Sequence, residues 1–354
     1  MAYTDIDKPS DYFETKLWTG NSTDDTAITG LDFAPNWVWI KNRTDTNSHA
    51  LFDTVRGATK YIESDTTDAE ATGATFLKSF TSDGFVLGTG GRVNNNAKLY
   101  ASWNWKAGTS FTNDASSTGI GSIDSTGSAS DTSGFSIVSY TGTGSAGSIK
   151  HGLTSAPGMM IIKNRSDAQN WVVYHQSIGN TKNLYLNRTD ATNTTSGWFN
   201  NTSPTSTVFT IGNDGAVSGN GDNLVAYCFA EKNGFSKFGS YVGNGSTSSG
   251  TFVYTGFKVG WVMTKSIAVE AWQMTDHVRD ANVSPNFARL VADLSQPEST
   301  NTTWAKVEKF SNGFKLGGND SVSNESGQTY IYMAFAENPF VTSTDNGSIP
   351  ACAR

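Results

Sequence analysis

The chain has 354 residues, with 25 Lys and Arg against 32 Asp and Glu for a net charge of −7. Scattered acids without a run of Lys or Arg exclude a surface that tracks a nucleic-acid backbone, and the length predicts two or three domains. With 36% hydrophobic residues, 36 glycines and heavy use of Ser, Thr and Asn, the composition suits strands and turns, not helical bundles, while 12% aromatics supply buried area that the scarce aliphatics do not.

In chain order, the opening "MAYTDIDKPSDYF" has no basic segment ahead of an apolar one, and no run of about 18 apolar residues follows anywhere. No secretory leader or membrane insertion is expected, and synthesis in a reducing cytoplasm is. "YFETKLWTGN" from Tyr12 reads as a strand leading into a Gly turn, and "WVWIKN" from Trp37 as a strand that Lys41 and Asn42 end. "LFDTVRGATKYI" from Leu51, inside the block "HALFDTVRG" from His49, predicts a couple of helical turns. "SDGFVLG" from Ser82 places Gly84 where a tight turn needs positive φ before an inward Phe85, and "AKLYASWNW" from Ala97 closes the unit. Residues 1–108 thus form one repeat, and 109–134, dominated by Ser, Thr, Gly and Asp, read as a linker or arm.

The five blocks then recur in the same order. Residues 135–234 carry "FSIVSYTGTG", "MMIIKNRSD" with Lys163, "NWVVYHQSIG", "TVFTIG" and "NLVAYCFAE". Residues 235–340 carry "FSKFGSYVGNG", "WVMTKSIAV" with Lys265, "AWQMTDHVRD", a second helical candidate "NFARLVADL" from Asn286, "SNGFKLG" with Gly313 and Phe314, and "TYIYMAFAE"; residues 341–354 are a tail. A period near 100 residues is too long for a solenoid or propeller unit, so each copy is expected to be a domain. In "TYIYMAFAE" both alternating faces are apolar, as in a central strand covered on two sides. The expected fold is all-β: three tandem antiparallel β-sandwich domains, jelly-roll or concanavalin A-like, the second and third held rigidly because almost no linker separates them.

Chemistry is sparse. Lys41, Lys163 and Lys265 end the same strand in each copy, which favours a framework cap paired with a carboxylate such as Asp53 over an anion or sugar ligand shared with Asn42 and Arg43. His49, His151, His175 and His277 lack metal-ligand spacing, so no metal and no cofactor are expected. No G-x-S-x-G elbow occurs, and neither Cys228 nor Cys352 has a recognisable partner. Glu231 and Glu337 are the candidate pair for glycoside hydrolysis, but the first copy has Lys106 near that place, and the chain is not expected to be an enzyme. "GNDG" from Gly212 and "GGND" from Gly317 lack the spacing of a calcium loop. For sugar binding, Trp103 and Trp105 alternate along a strand and read as half core. Trp198, with Asn200 and Asn201 in a polar stretch, is the better surface candidate.

The stretch from "APNWVWIKNRTD" through "SDGFVLG" and "ASWNWKAG", with "FSIVSYTGTGS", "HGLTSAP", "YCFAE", "FGSYVGNGS" and "YIYMAFAENPF", resembles a repeat family of marine bacteriophage virion proteins, over nearly the whole chain. The resemblance implies a virion structural protein with lectin-like β-sandwiches, expected as a tail fibre or knob component taking part in host-surface glycan recognition. The alternative is a structural adaptor or decoration subunit. Implied partners are other virion proteins and host polysaccharide or lipopolysaccharide, with a homo-oligomer, a trimer, as the expected assembly and the virion as location. The family transfers no catalytic residue, and the third copy departs from it at Lys265-Ser266-Ile267.

Overall fold

A computed structural model describes residues 4–280, 287–301 and 306–340. The chain is mostly strand, arranged in antiparallel sheets. In the first copy the main sheet has the order Phe13–Thr19, Leu99–Trp105, Trp37–Asn42, Ala50–Asp53, so the closing strand of the repeat lies between its opening strand and the "WVWIKN" strand. The second copy repeats this with Phe135–Thr141, Asn223–Phe229, Met159–Asn164 and Val172–His175, and the third with Ser236–Val242, Thr329–Pro339, Phe257–Ser266 and Gln273–Asp276. A smaller sheet covers one face of each main sheet. It holds Thr26–Ile28, Gly84–Leu87 and Leu77–Thr81 in copy one, Gly147–Lys150 and Val208–Ile211 in copy two, and Phe252–Tyr254, Gly313–Gly317 and Lys306–Phe310 in copy three.

The two faces of each closing strand explain how the copies assemble. Tyr330, Tyr332 and Ala334 pack between the two sheets of copy three, whereas Ile331, Met333 and Phe335 turn the other way. There they meet Trp37, Trp39, Trp103 and Trp105 of copy one and Ile161, Trp171, Tyr227 and Phe229 of copy two in a single buried cluster. Each copy therefore has a private core and one third of a shared core, and the three main sheets face a common axis. The expectation of separate tandem domains did not foresee this third interior, because apolar alternation shows that a face is covered but not by what.

Hydrogen bonds across the seams follow the same threefold order. Tyr227 of copy two donates to Asp53 Oδ2 of copy one at 2.7 Å, and Trp103 of copy one donates from Nε1 to Asp276 Oδ2 of copy three at 3.0 Å. His175 of copy two, in the register position of those aspartates, donates to Tyr332 O of copy three at 3.1 Å. A second ring runs from Trp171 Nε1 to Glu63 O (2.8 Å), Trp272 Nε1 to Tyr185 O (2.8 Å) and His49 Nε2 to Val291 O (3.0 Å). Such buried donors are satisfied only when all three copies are present.

Several sequence expectations change. Residues 109–134 are not a free linker: Thr109–Asn113 and Ser125–Ser130 form a hairpin that pairs with Phe135–Thr141 and widens the sheet of copy two. Backbone pairing to an available edge needs no apolar side chains, and the hairpin's Phe111 lies over Gly127 and Gly152, where a Cβ would meet its ring at 2.8 and 2.6 Å. Neither helical candidate is a helix: Ala50–Asp53 and Phe287–Val291 are strands, Asn286 itself lying outside the described residues. The tail 341–354, with Cys352, also lies outside them.

Candidate binding surface

The three lysines close the inner strands from inside. Lys41 donates to the carbonyls of Asn42, Asn47 and Ser295 at 2.7–3.0 Å, Lys163 to those of Asn164, Gln169 and Thr67 at 2.8–3.1 Å, and Lys265 to those of Ser266 and Ala268 at 2.6 and 2.8 Å. Burial pushes all three ammonium groups down to about 8. They are strand-end caps as expected of a framework, but the expected partner is wrong: Asp53 belongs to Arg56, whose Nε lies 2.5 Å from its Oδ2.

That pair opens an ion network which sequence reading missed. Glu70 joins Arg56 of its own copy (3.2 Å) to Arg165 of copy two (2.8 Å), and Glu298 joins Arg279 of its own copy (2.9 Å) to Arg43 of copy one (2.7 Å). Burial alone would raise Asp276, yet Arg279 beside it holds it below the usual carboxylate range. Register places Ile178, Thr192 and Ile267 at the corresponding points of the third seam, where the backbone bond from Thr192 N to Ile267 O matches those from Glu70 N to Arg165 O and Glu298 N to Arg43 O. All charged members are absent there together, and Ile178 and Ile267 pack against the shared core. The readable signal was "DTVR" and "DHVR" in copies one and three against "HQSI" in copy two.

Three of the four histidines are likewise structural. In His49, His151 and His175 the Nδ1 accepts from Trp39 Nε1, Leu153 N and Ser177 N, so Nε2 carries the proton and donates to the carbonyls of Val291, Thr205 and Tyr332. Burial pushes His151 and His175 down to about 4 and His49 well below its usual value. Both ring nitrogens being engaged, none of the three has a lone pair for a metal. Among the described residues no three His, Cys, Asp or Glu converge as metal ligands. Cys228 is buried, and burial pushes its thiol up to about 12.

Glu231 and Glu337 are not brought together: each serves its own seam. Glu231 Oε1 accepts from Phe238 N at 2.9 Å and Gln176 Nε2 at 3.1 Å, closing the seam of copies two and three. Glu337 pairs with Lys258 at 3.0 Å beside a hollow of about 160 Å³ in the seam of copies three and one, lined also by Glu14, Thr15 and His277. The hollow exists because Thr15 stands at the register position that Phe238 fills in the neighbouring seam.

The surface candidate Trp198 is corrected too. It is 7% exposed, on the short helix Ser196–Phe199, and meets Tyr185 edge-on at 5.8 Å. Only Asn200 and Asn201 of that trio face solvent, in left-handed conformations with φ 48° and 51°. Trp103 and Trp105 are buried outright. Asp214 and Asp320 of the "GNDG" and "GGND" turns accept from Ala216 N and Ser323 N, the bonds of turn caps. Gly84 and Gly313 follow the two-residue turns of their hairpins and precede the buried Phe85 and Phe314; of the two only Gly84 has positive φ, at 159°, and crowding calls for glycine at both. A Cβ would lie 1.8 Å from Ile28 O at Gly84 and 2.1 Å from Val253 O at Gly313.

What remains for recognition is the outward face of the smaller sheets, where the copies diverge. In copy three Phe252 and Tyr254 point out from their strand, 46% and 56% exposed, on either side of the inward Val253. Phe310 stands across the sheet from Tyr254, both in register with Gly313, and meets Phe252 edge-on at 5.9 Å. The inward pairs Ile28–Phe85 and Ile149–Phe209 fix the matching outward positions as Ala27 and Thr29 in copy one and Ser148 and Lys150 in copy two. The sheet therefore forms without aromatics at these places.

The architecture defines an internally threefold all-β protein with a framework interior and variable outer sheets. A family model described as a domain of unknown function, DUF7483, matches residues 8–339, and the chain belongs to that family. The match runs through all three copies as one unit, in keeping with their shared core. No curated protein and no solved structure matches the chain.

Proposed function

We propose that this protein is a structural component of a bacteriophage virion, part of a tail fibre or knob that takes part in recognising host-surface glycan, without catalysis. The observation that carries the reading is the contrast between inside and outside. Inward positions of the three copies complete one another in closed rings of hydrogen bonds, whereas outward positions of equivalent strands carry Ala and Thr, Ser and Lys, or Phe and Tyr. A rigid frame presenting unlike outer sheets suits attachment. The relation of each two-sheet copy to jelly-roll or concanavalin A-like sandwiches belongs to this proposal, as does a homotrimeric assembly.

Binding of labelled protein to marine bacterial cells in artificial seawater, with and without periodate oxidation of surface sugars, tests it. Saturable binding lost on oxidation supports the reading; absence of binding by the folded protein overturns recognition and leaves the adaptor or decoration alternative. Analytical ultracentrifugation decides between monomer and trimer.

A further inference from the structure

We propose that the outer sheet of copy three is a binding platform for a pyranose ring of an acidic polysaccharide, a reading that rests on the glycan recognition proposed above. Phe252, Tyr254 and Phe310 form its apolar part around Gly313, where a Cβ would meet the tip of the Phe252 ring at 3.0 Å. Aromatic faces of this kind stack on the C–H face of a sugar.

Size selects the occupant. Phe252 and Tyr254 are each about half exposed, so together they offer roughly 200 Å² of apolar surface. A stable protein interface needs about 800 Å² on each side, whereas one or two sugar rings need no more than the platform gives. The cost of keeping two aromatic side chains in water is not imposed by the fold, since Ala27 and Thr29 or Ser148 and Lys150 serve at the same positions elsewhere in the chain.

Charge selects the kind of sugar. In a chain of net charge −7 the platform is bordered by cations. Lys237 Nζ lies 5.5 Å from the Tyr254 ring centre and has no carboxylate partner among the described residues, and Lys315 sits 6.0 Å from the Phe310 ring while pairing with Glu308 at 3.0 Å. A carboxylate on a ring stacked at Tyr254 falls within reach of Lys237, and the pair would be partly shielded from salt by the aromatic surface.

The test is affinity electrophoresis of the full chain through gels containing alginate or polygalacturonate as acidic polymers, or dextran as a neutral one, in seawater-strength salt. The wild-type protein is expected to be retarded by at least one acidic polymer and not by dextran. Phe252→Ala with Tyr254→Ala is expected to weaken that retardation at least tenfold, and Lys237→Met severalfold, with unchanged thermal unfolding because all three side chains are at the surface. Retardation unaffected by these substitutions, or absent with both acidic polymers, overturns the platform. The whole-cell assay separates the two proposals: a double variant that still binds cells in a periodate-sensitive manner refutes the platform and leaves glycan recognition standing, and a wild-type protein that fails to bind cells refutes recognition itself.

Discussion

Removing Arg56 alone is expected to cost far more than removing the whole ion network to which it belongs. Asp53 and Arg56 have fully buried side chains. In Arg56→Ile the Asp53 carboxylate would retain Tyr227 Oη and the amides of Val55 and Arg56 as donors, but no counter-ion. Glu70 would keep only Arg165. An uncompensated buried charge of this kind costs about 3–5 kcal/mol, a third or more of a typical folding stability. The third seam shows the alternative solution in the same molecule, with His175, Ile178, Thr192, Ile267 and Met333 at the five equivalent positions. Transplanting that set as Asp53→His, Arg56→Ile, Glu70→Thr, Arg165→Ile and Tyr227→Met is therefore expected to fall within about 2 kcal/mol of the wild type, since an apolar replacement of a complete buried ion network is often neutral. The coupling would amount to several kcal/mol, well beyond additivity for separate sites. Urea unfolding followed by tryptophan fluorescence measures both variants. An Arg56→Ile cost below about 1 kcal/mol, or a five-fold variant no more stable than the single one, would refute the reasoning.

Stability is expected to fall as pH drops from 7 to 5. The three histidines stay neutral in the folded protein while the unfolded chain protonates near 6.5, each withdrawing about 2 kcal/mol; Asp293, raised by burial to about 6, takes up a proton in the folded state and returns about 1 kcal/mol, for a net loss near 5 kcal/mol. A flat urea midpoint across that range would contradict the assignment. An excised copy two, residues 135–234, is expected to remain unfolded by circular dichroism and proton NMR. It would expose Ile137, Met159, Ile161, Trp171, Val173, Val225, Tyr227 and Phe229, and at about 2 kcal/mol each that loss exceeds the stability of a typical domain; a cooperative melt of the fragment would show the copies to be independent. Trp198→Ala is expected to lower stability by about 3–5 kcal/mol, as truncation of a buried aromatic does, without changing polysaccharide retardation at temperatures where it is folded. Loss of binding with intact stability would restore it as a surface residue.

Much was legible in one dimension. Period-two alternation in "TYIYMAFAE" determined a strand covered on both faces, and the recurrence of five blocks determined three copies of one unit, because alternation and order are properties of the chain itself. The lysines at the strand ends could be read as framework for the same reason. The helices expected at Leu51 and Asn286 failed since a short apolar run is compatible with either period until a neighbouring strand supplies its hydrogen bonds. Trp198 looked exposed because its sequence neighbours are polar, but burial is set by what comes from elsewhere: Tyr185 lies beside it in space. The partner of Asp53 and the exposure of Phe252 and Tyr254 depend on register and on which sheet face meets solvent. Only the closing of three main sheets about one axis decided that the copies share a core, because covering an apolar face requires a second surface, and a sequence names the face without naming its partner.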